Sequence, residues 1–265
     1  MDTSSLQTIR VERRADRVAI VTLARPQVHN AFNEVMIAEL TAELAALGAD
    51  PQVRAVLLAA EGKSFSAGAD LDWMRRMAGY GPDENRADAR ALARLMHVLD
   101  TLAKPTVARV HGAAYGGGVG LVACCDIAVA AEDAAFSLSE VKLGLIPAVI
   151  SPYVVAAAGP RAARRWFLTA ERFDAAEAAR TGLVHQAVPT ARLDEAVEAV
   201  LARLRQGAPA AQAAAKDLIF TVTGHPVTEE LMDYTAARIA ELRAGAEARE
   251  GIAAFLDKRA PAWGN

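Results

Sequence analysis

The chain has 265 residues, 53% of them hydrophobic, enough to bury the core of one large domain or of a domain with a small appendage, which argues against disorder. Its formal net charge is −3 with Lys and Arg scattered rather than blocked, so it lacks the electrostatic footprint of a dedicated nucleic-acid binder. The two cysteines, Cys124 and Cys125, are adjacent and leave no disulfide framework, which fits a reducing cytoplasm; five dispersed histidines without HExxH or paired Cys spacing give a metal site no local support.

Residues 1–14 mix acids and bases without an apolar core segment, so no secretory signal is expected there. Residues 8–13 and 17–23 alternate apolar and polar side chains, predicting a hairpin turned at Ala15 and Asp16. Over 33–47, Met36, Ile37, Leu40, Leu44 and Leu47 fall on one helical stripe, with Gly48 as the expected stop. The apolar run 54–60 suits a buried strand, 83–103 a helix with Leu92, Leu95, Met96 and Leu99 inward, and 105–110 the next strand. Further strands are expected at 127–130 and 135–138. The uncharged stretch 110–125 is shorter than the roughly 18 residues of a spanning helix and rich in glycine, so no membrane segment is expected.

This alternation predicts an α/β fold with buried parallel strands. After Pro189 the pattern changes: the Ala-rich stretches 191–204, 208–220, 227–242 and 248–258 read as short amphipathic helices. The division is placed at 200/201, with a core that carries the site over 1–200 and a helical region over 201–265. Such helices have little core of their own, so they are expected to dock on the core or on a neighbouring subunit.

Three segments carry chemistry. The first, Glu61-Gly-Lys-Ser-Phe-Ser-Ala-Gly-Ala-Asp70, follows a strand and feeds a helix over 71–77; its small residues let a ligand approach the backbone, and amides around Ala69 would face outward at the helix's positive end. A P-loop is rejected because its first glycine would have to be Leu57. In the second, Gly116-Gly-Gly-Val-Gly120 follows a strand and opens a helix. A dinucleotide fingerprint fails there because Leu121 stands where its last glycine belongs, and a plain tight turn is the bland alternative. In the third, Glu140 is an acid in an apolar stretch beside a strand. Burial would make it a better proton acceptor near neutrality, whereas the alternative is an ordinary ion pair with Lys142 or a nearby arginine.

In this order the three segments resemble the enoyl-CoA hydratase/isomerase (crotonase) superfamily. The resemblance runs from about residue 8 to 263 and includes Arg25-Pro26 through Asn30-Ala31, Asp126-Ile127, Leu168-Thr169-Ala170 with Arg172, Gly182-Leu183-Val184 and the segment 254–259. It implies a spiral of ββα units with a helical C-terminal trimerisation region, assembled as a homotrimer or homohexamer. It also implies an acyl-CoA substrate of fatty-acid or branched-chain breakdown, with no cofactor beyond the coenzyme A that the substrate carries. The backbone amides of Ala69 and Gly117 would form an oxyanion hole, and Glu140 would be the catalytic acid–base. Coenzyme A would lie against Val28, Ala67, Ala69, Asp70 and Leu71, with Phe255 and Lys258 reaching it from a neighbouring subunit.

The chain departs from the pattern at one place. Two-carboxylate hydratases of the family carry a Glu just after the triple glycine, where this chain has Gly120. A hydratase is the first expectation, and the run 138–153 resembles a branch acting on branched acyl-CoAs such as methylglutaconyl- or carboxygeranoyl-CoA. An isomerase using Glu140 alone is the second expectation, and an acyl-CoA-binding homologue that has lost turnover the third. Asp70 or Asp72 is the alternative source of the second acid, although nothing in their spacing marks them for it.

Overall fold

A computed structural model describes residues 6–264. Strands β1 (Ile9–Arg13) and β2 (Val18–Leu23) form the expected hairpin, and β3 (Ala55–Ala60) and β4 (Thr106–Val110) add in parallel. After a short β5 (Ala113–Tyr115), β6 (Ile127–Ala131) joins β4 and β9 (Gln186–Val188) closes the six-stranded sheet, in the order β1-β2-β3-β4-β6-β9. A second sheet stacks β5, β7 (Ala135–Ser137) and β8 (Arg172–Asp174). The α/β class is as the alternation predicts.

Successive side chains on a strand face opposite sides, and here both sides are covered. Val56 and Leu58 of β3 face the large core that includes Leu40, Leu44, Leu95 and Leu99 from α1 (Glu34–Ala49) and α3 (Pro82–Asp100). Ala55 and Leu57 face a second cluster with Leu193, Val197 and Leu201 of α7 (Leu193–Gln206). The division expected at 200/201 therefore runs through α7, whose residues on both sides of it are buried on the sheet.

Helix α1 continues through Gly48 to Ala49 instead of stopping there, and Gly48 makes room for Leu102, whose Cδ1 would lie 2.7 Å from a methyl at that position. Asn33 caps its start by accepting from the Met36 amide at 2.9 Å. Helix α2 (Leu71–Met77) is capped by Asp70, and α4 (Gly117–Cys124) follows the triple-glycine turn directly. Helix α5 (Ser151–Thr169), broken at Gly159, and α6 (Ala175–Thr181) pack beside the small sheet.

The remaining helices, α8 (Pro209–Val222), α9 (Glu229–Ala244) and α10 (Ala246–Leu256), contribute one buried residue among them, Ala254. They are held by polar anchors: Lys216 Nζ lies 2.9 Å from Asp126 Oδ1, and Glu247 accepts from the Ala210 and Ala211 amides at the start of α8. Arg54 donates to the carbonyls of Gly207 and Trp263. No helix among the described residues is long and apolar enough to cross a membrane.

Candidate active site

Two turns are laid side by side by backbone pairing. Phe65 N–H donates to His111 O at 3.0 Å, Ser66 N–H to Ala113 O at 3.0 Å, and Tyr115 N–H to Ser66 O at 2.8 Å, so the 65–70 loop runs parallel to β5 and ends beside the glycine turn. Gly68 has φ +89°, and a side chain there would press on Tyr115 O at 3.2 Å; Gly116 has φ +50°. Only glycine meets both demands, left-handed backbone and close approach.

Ala69 and Gly117 are among the residues whose amides the turns leave free. The Val119 and Gly120 amides of α4 donate back to Gly116 O, and Gly116 donates to Ser137 O at 2.9 Å. The amides of Ala69 and Gly117 donate to no protein acceptor among the described residues. Gly117 is the first residue of α4, where unsatisfied amides and the helix dipole favour negative charge.

Glu140 opens a 3-10 turn, Glu140–Leu143, just after β7. Its Oε1 lies 3.2 Å from where a methyl on Gly116 would sit, and the Gly68 Cα is 3.8 Å from the same point, so the carboxyl adjoins both turns. Its Oε2 is buried without a hydrogen-bond partner, and no ion pair with Lys142 or any arginine forms. Burial lifts this carboxyl above the usual carboxylate range, and a hydrogen bond from its own amide offsets that in part. Of the two readings of Glu140 open from sequence, the unpaired acid is the one observed, half-buried and with one oxygen out of reach of solvent.

Asp70 and Asp72 offer no second free acid. Burial works to raise the Asp70 carboxyl, but the Trp73 amide, the Arg25 guanidinium at 2.8 Å and the Asp72 amide together hold it below its ordinary range. Asp72 is exposed and paired with Arg75. Nor does Gly120 leave room for a side chain: a methyl there would fall 2.3 Å from Ile150 Cγ2 and 3.3 Å from Met96 Cε.

The residues expected to meet coenzyme A divide into two groups. Val28 ends a 3-10 turn next to His29, whose carbonyl accepts from the Ala67 amide at 2.9 Å, and Asp70 and the exposed Leu71 continue the same edge past Ala69. Phe255, 82% exposed, and Lys258 lie at the end of α10 and form no hydrogen bond or ion pair with that edge among the described residues. Sequence reasoning missed Phe32, Met96 and Ile150. The first adjoins the Asn30-Ala31 motif, but nothing in the local pattern marks Met96 or Ile150 as neighbours of Gly120.

Residues 13–265 match the family model described as enoyl-CoA hydratase/isomerase. The chain belongs to the enoyl-CoA hydratase/isomerase family. The crystal structure of an enoyl-CoA hydratase from Shewanella pealeana is 46% identical and superposes with a TM-score of 0.95 over 98% of this chain and 97% of that one. AtuE of Pseudomonas aeruginosa is 40% identical, with a TM-score of 0.93 over 98% and 100% of the two chains. A hydroxycinnamoyl-CoA hydratase-lyase of Pseudomonas fluorescens is 31% identical over 261 residues, 96% of this chain and 93% of the relative. The fold is thus that of the crotonase neighbours, and the chain is an enzyme of the hydratase/isomerase family.

Proposed function

We propose that the chain is an enoyl-CoA hydratase that adds water across the α,β double bond of an acyl-CoA thioester. The observation that carries this reading is the pair of unpaired amides, Ala69 and Gly117, beside a carboxyl oxygen of Glu140 that has no protein partner. The thioester oxygen accepts from both amides. Water adds to the β-carbon as the Glu140 carboxylate takes one of its protons, and the electron pair of the double bond moves onto the thioester as an enolate. The Glu140 carboxyl then returns that proton to the α-carbon, so one water is added and the carboxylate is regenerated. A single acid thereby serves both proton transfers, and each oxyanion donor supplies about 2.7 to 4 kcal/mol of transition-state stabilisation.

The acyl group is of the branched class that the 138–153 run suggests. The active assembly is a homotrimer or homohexamer in the cytoplasm, in which Phe255 and Lys258 of one subunit approach the coenzyme A of another. No cofactor joins the substrate's own coenzyme A. Loss of absorbance at the conjugated thioester band on mixing with methylglutaconyl-CoA or crotonyl-CoA is the expected result.

A second reading, isomerisation of a β,γ-enoyl-CoA, is favoured by one observation: Ile150 occupies the space that a carboxylate at position 120 would need. A single base suffices to move a proton from one carbon to another two bonds away. Absorbance gain from a β,γ-enoyl-CoA, without loss from the conjugated substrates, selects isomerisation. Tight acyl-CoA binding with silence in both assays selects a binding protein and overturns both enzymatic readings.

A further inference from the structure

Phe32 touches both halves of the paired-amide site. Its N–H donates to Gly68 O at 2.7 Å, and its carbonyl accepts from the Asp70 amide at 2.8 Å, a parallel bridge centred on Ala69. In such a bridge the groups flanking the central residue face the partner strand, so the central residue's own N–H turns the other way. The backbone of Phe32 therefore aims the Ala69 amide away from itself. Its ring meets the other donor: a methyl on Gly117 would lie 3.2 Å from Phe32 Cε2 and 3.4 Å from Cδ2.

The residue that makes these contacts is itself immobilised. Phe32 is 1% exposed and immediately precedes Asn33, the cap of α1. Ala31 O accepts from Arg25 Nη1 at 2.6 Å, and the Asn30 side chain donates to the carbonyls of Glu61 and Ser64 at 2.8 and 2.9 Å. Core side chains so fixed transmit position, because interiors are close-packed and yield little.

We infer that Phe32 is a positioning residue that sets the separation of the two oxyanion donors, its backbone fixing Ala69 while its ring edge bears on Gly117. The inference rests on the reading of these amides as donors to a thioester oxygen. It predicts that removing the ring edge, with the backbone bridge left in place, loosens Gly117 alone.

The test is Phe32→Leu, read by isotope-edited infrared spectroscopy of bound butyryl-CoA carrying ¹³C at the thioester carbonyl. In the native protein the carbonyl stretch is expected to fall on binding, as two donors polarise it. In the variant the stretch returns toward its free value while butyryl-CoA affinity holds. On an enoyl-CoA the variant's kcat drops by about tenfold to a hundredfold with KM unchanged, short of the ~10²–10³-fold loss for a whole donor. Phe32→Met, about as large as leucine but unbranched and without a planar edge, is the second variant should Phe32→Leu fail to unfold cooperatively.

A folded variant with the native carbonyl stretch and native kcat overturns the role of Phe32 and leaves the donor reading standing. A native protein whose bound carbonyl is unshifted overturns both. A native shift without hydration or isomerisation overturns the proposed reaction, and the infrared comparison then decides Phe32 by itself.

Discussion

Asp70 closes the 65–70 loop next to the Ala69 amide in sequence, and Glu140 follows β7 and is brought beside the glycine turn by the fold. Their surroundings differ in what donates to them. Asp70 receives two amides of α2 and the Arg25 guanidinium, so it stays ionised and its hydrogen-bonding capacity is used in holding the loop. Glu140 receives its own amide and nothing from a cation, and one oxygen is left bare. Proximity to the turns therefore does not decide which carboxyl is free to transfer protons; the absence of competing donors does.

The sharpest way to break this contrast is to neutralise each acid. Glu140→Gln is expected to lower kcat by about 10²–10⁴-fold, the range for removal of a general acid–base group, while acyl-CoA affinity is retained; an undiminished rate ends the assignment. Asp70→Asn keeps an oxygen for the α2 cap but strands Arg25. It should cost about 3 kcal/mol of unfolding free energy, the lower end for a broken buried pair, with kcat much less affected than in Glu140→Gln. Turnover lost at unchanged stability would show that Asp70 carries chemistry after all.

Gly120→Glu tests whether the second region admits another acid. Overpacking against Ile150 should cost about 1–3 kcal/mol, read by denaturant unfolding, and bring no gain in hydration; adding Ile150→Ala should recover part of that loss.

The smallest expected effect is in the pH dependence of stability, where the two acids pull in opposite directions. The folded Glu140 carboxyl is raised above its ordinary 4.5, so the unfolded chain releases this proton first and stability falls as pH climbs from 4.5 through the folded value. Glu140→Gln should therefore be stabilised relative to native at neutral pH, and the advantage should vanish below 4.5. The folded Asp70 is lowered from 3.8, so its contribution is complete above 3.8 and is lost as pH falls through the folded value. The deficit of Asp70→Asn should accordingly shrink in acid.

Legibility followed the range of the interactions. The hairpin, α1, α3 and the C-terminal helices are written in periodic stripes, β3 in an apolar run, and the two glycine turns in composition. The three-residue strands β5, β8 and β9 are too short to show a period, and they exist because neighbouring strands offer them partners. Helix α5 is interrupted at Gly159 and Pro160, which masks its stripe. Lys142, two residues from Glu140 in sequence, is exposed and forms no ion pair with it, so charge spacing overstated that pair. Phe32 against Gly117 and Ile150 against Gly120 are contacts across 30 or more residues that only folding creates.

The Ile150 contact also bears on descent. A glutamate introduced at 120 by itself would meet the Ile150 side chain with its first carbon. Room for a second carboxyl there would depend on a smaller residue at 150 as well, two substitutions rather than one.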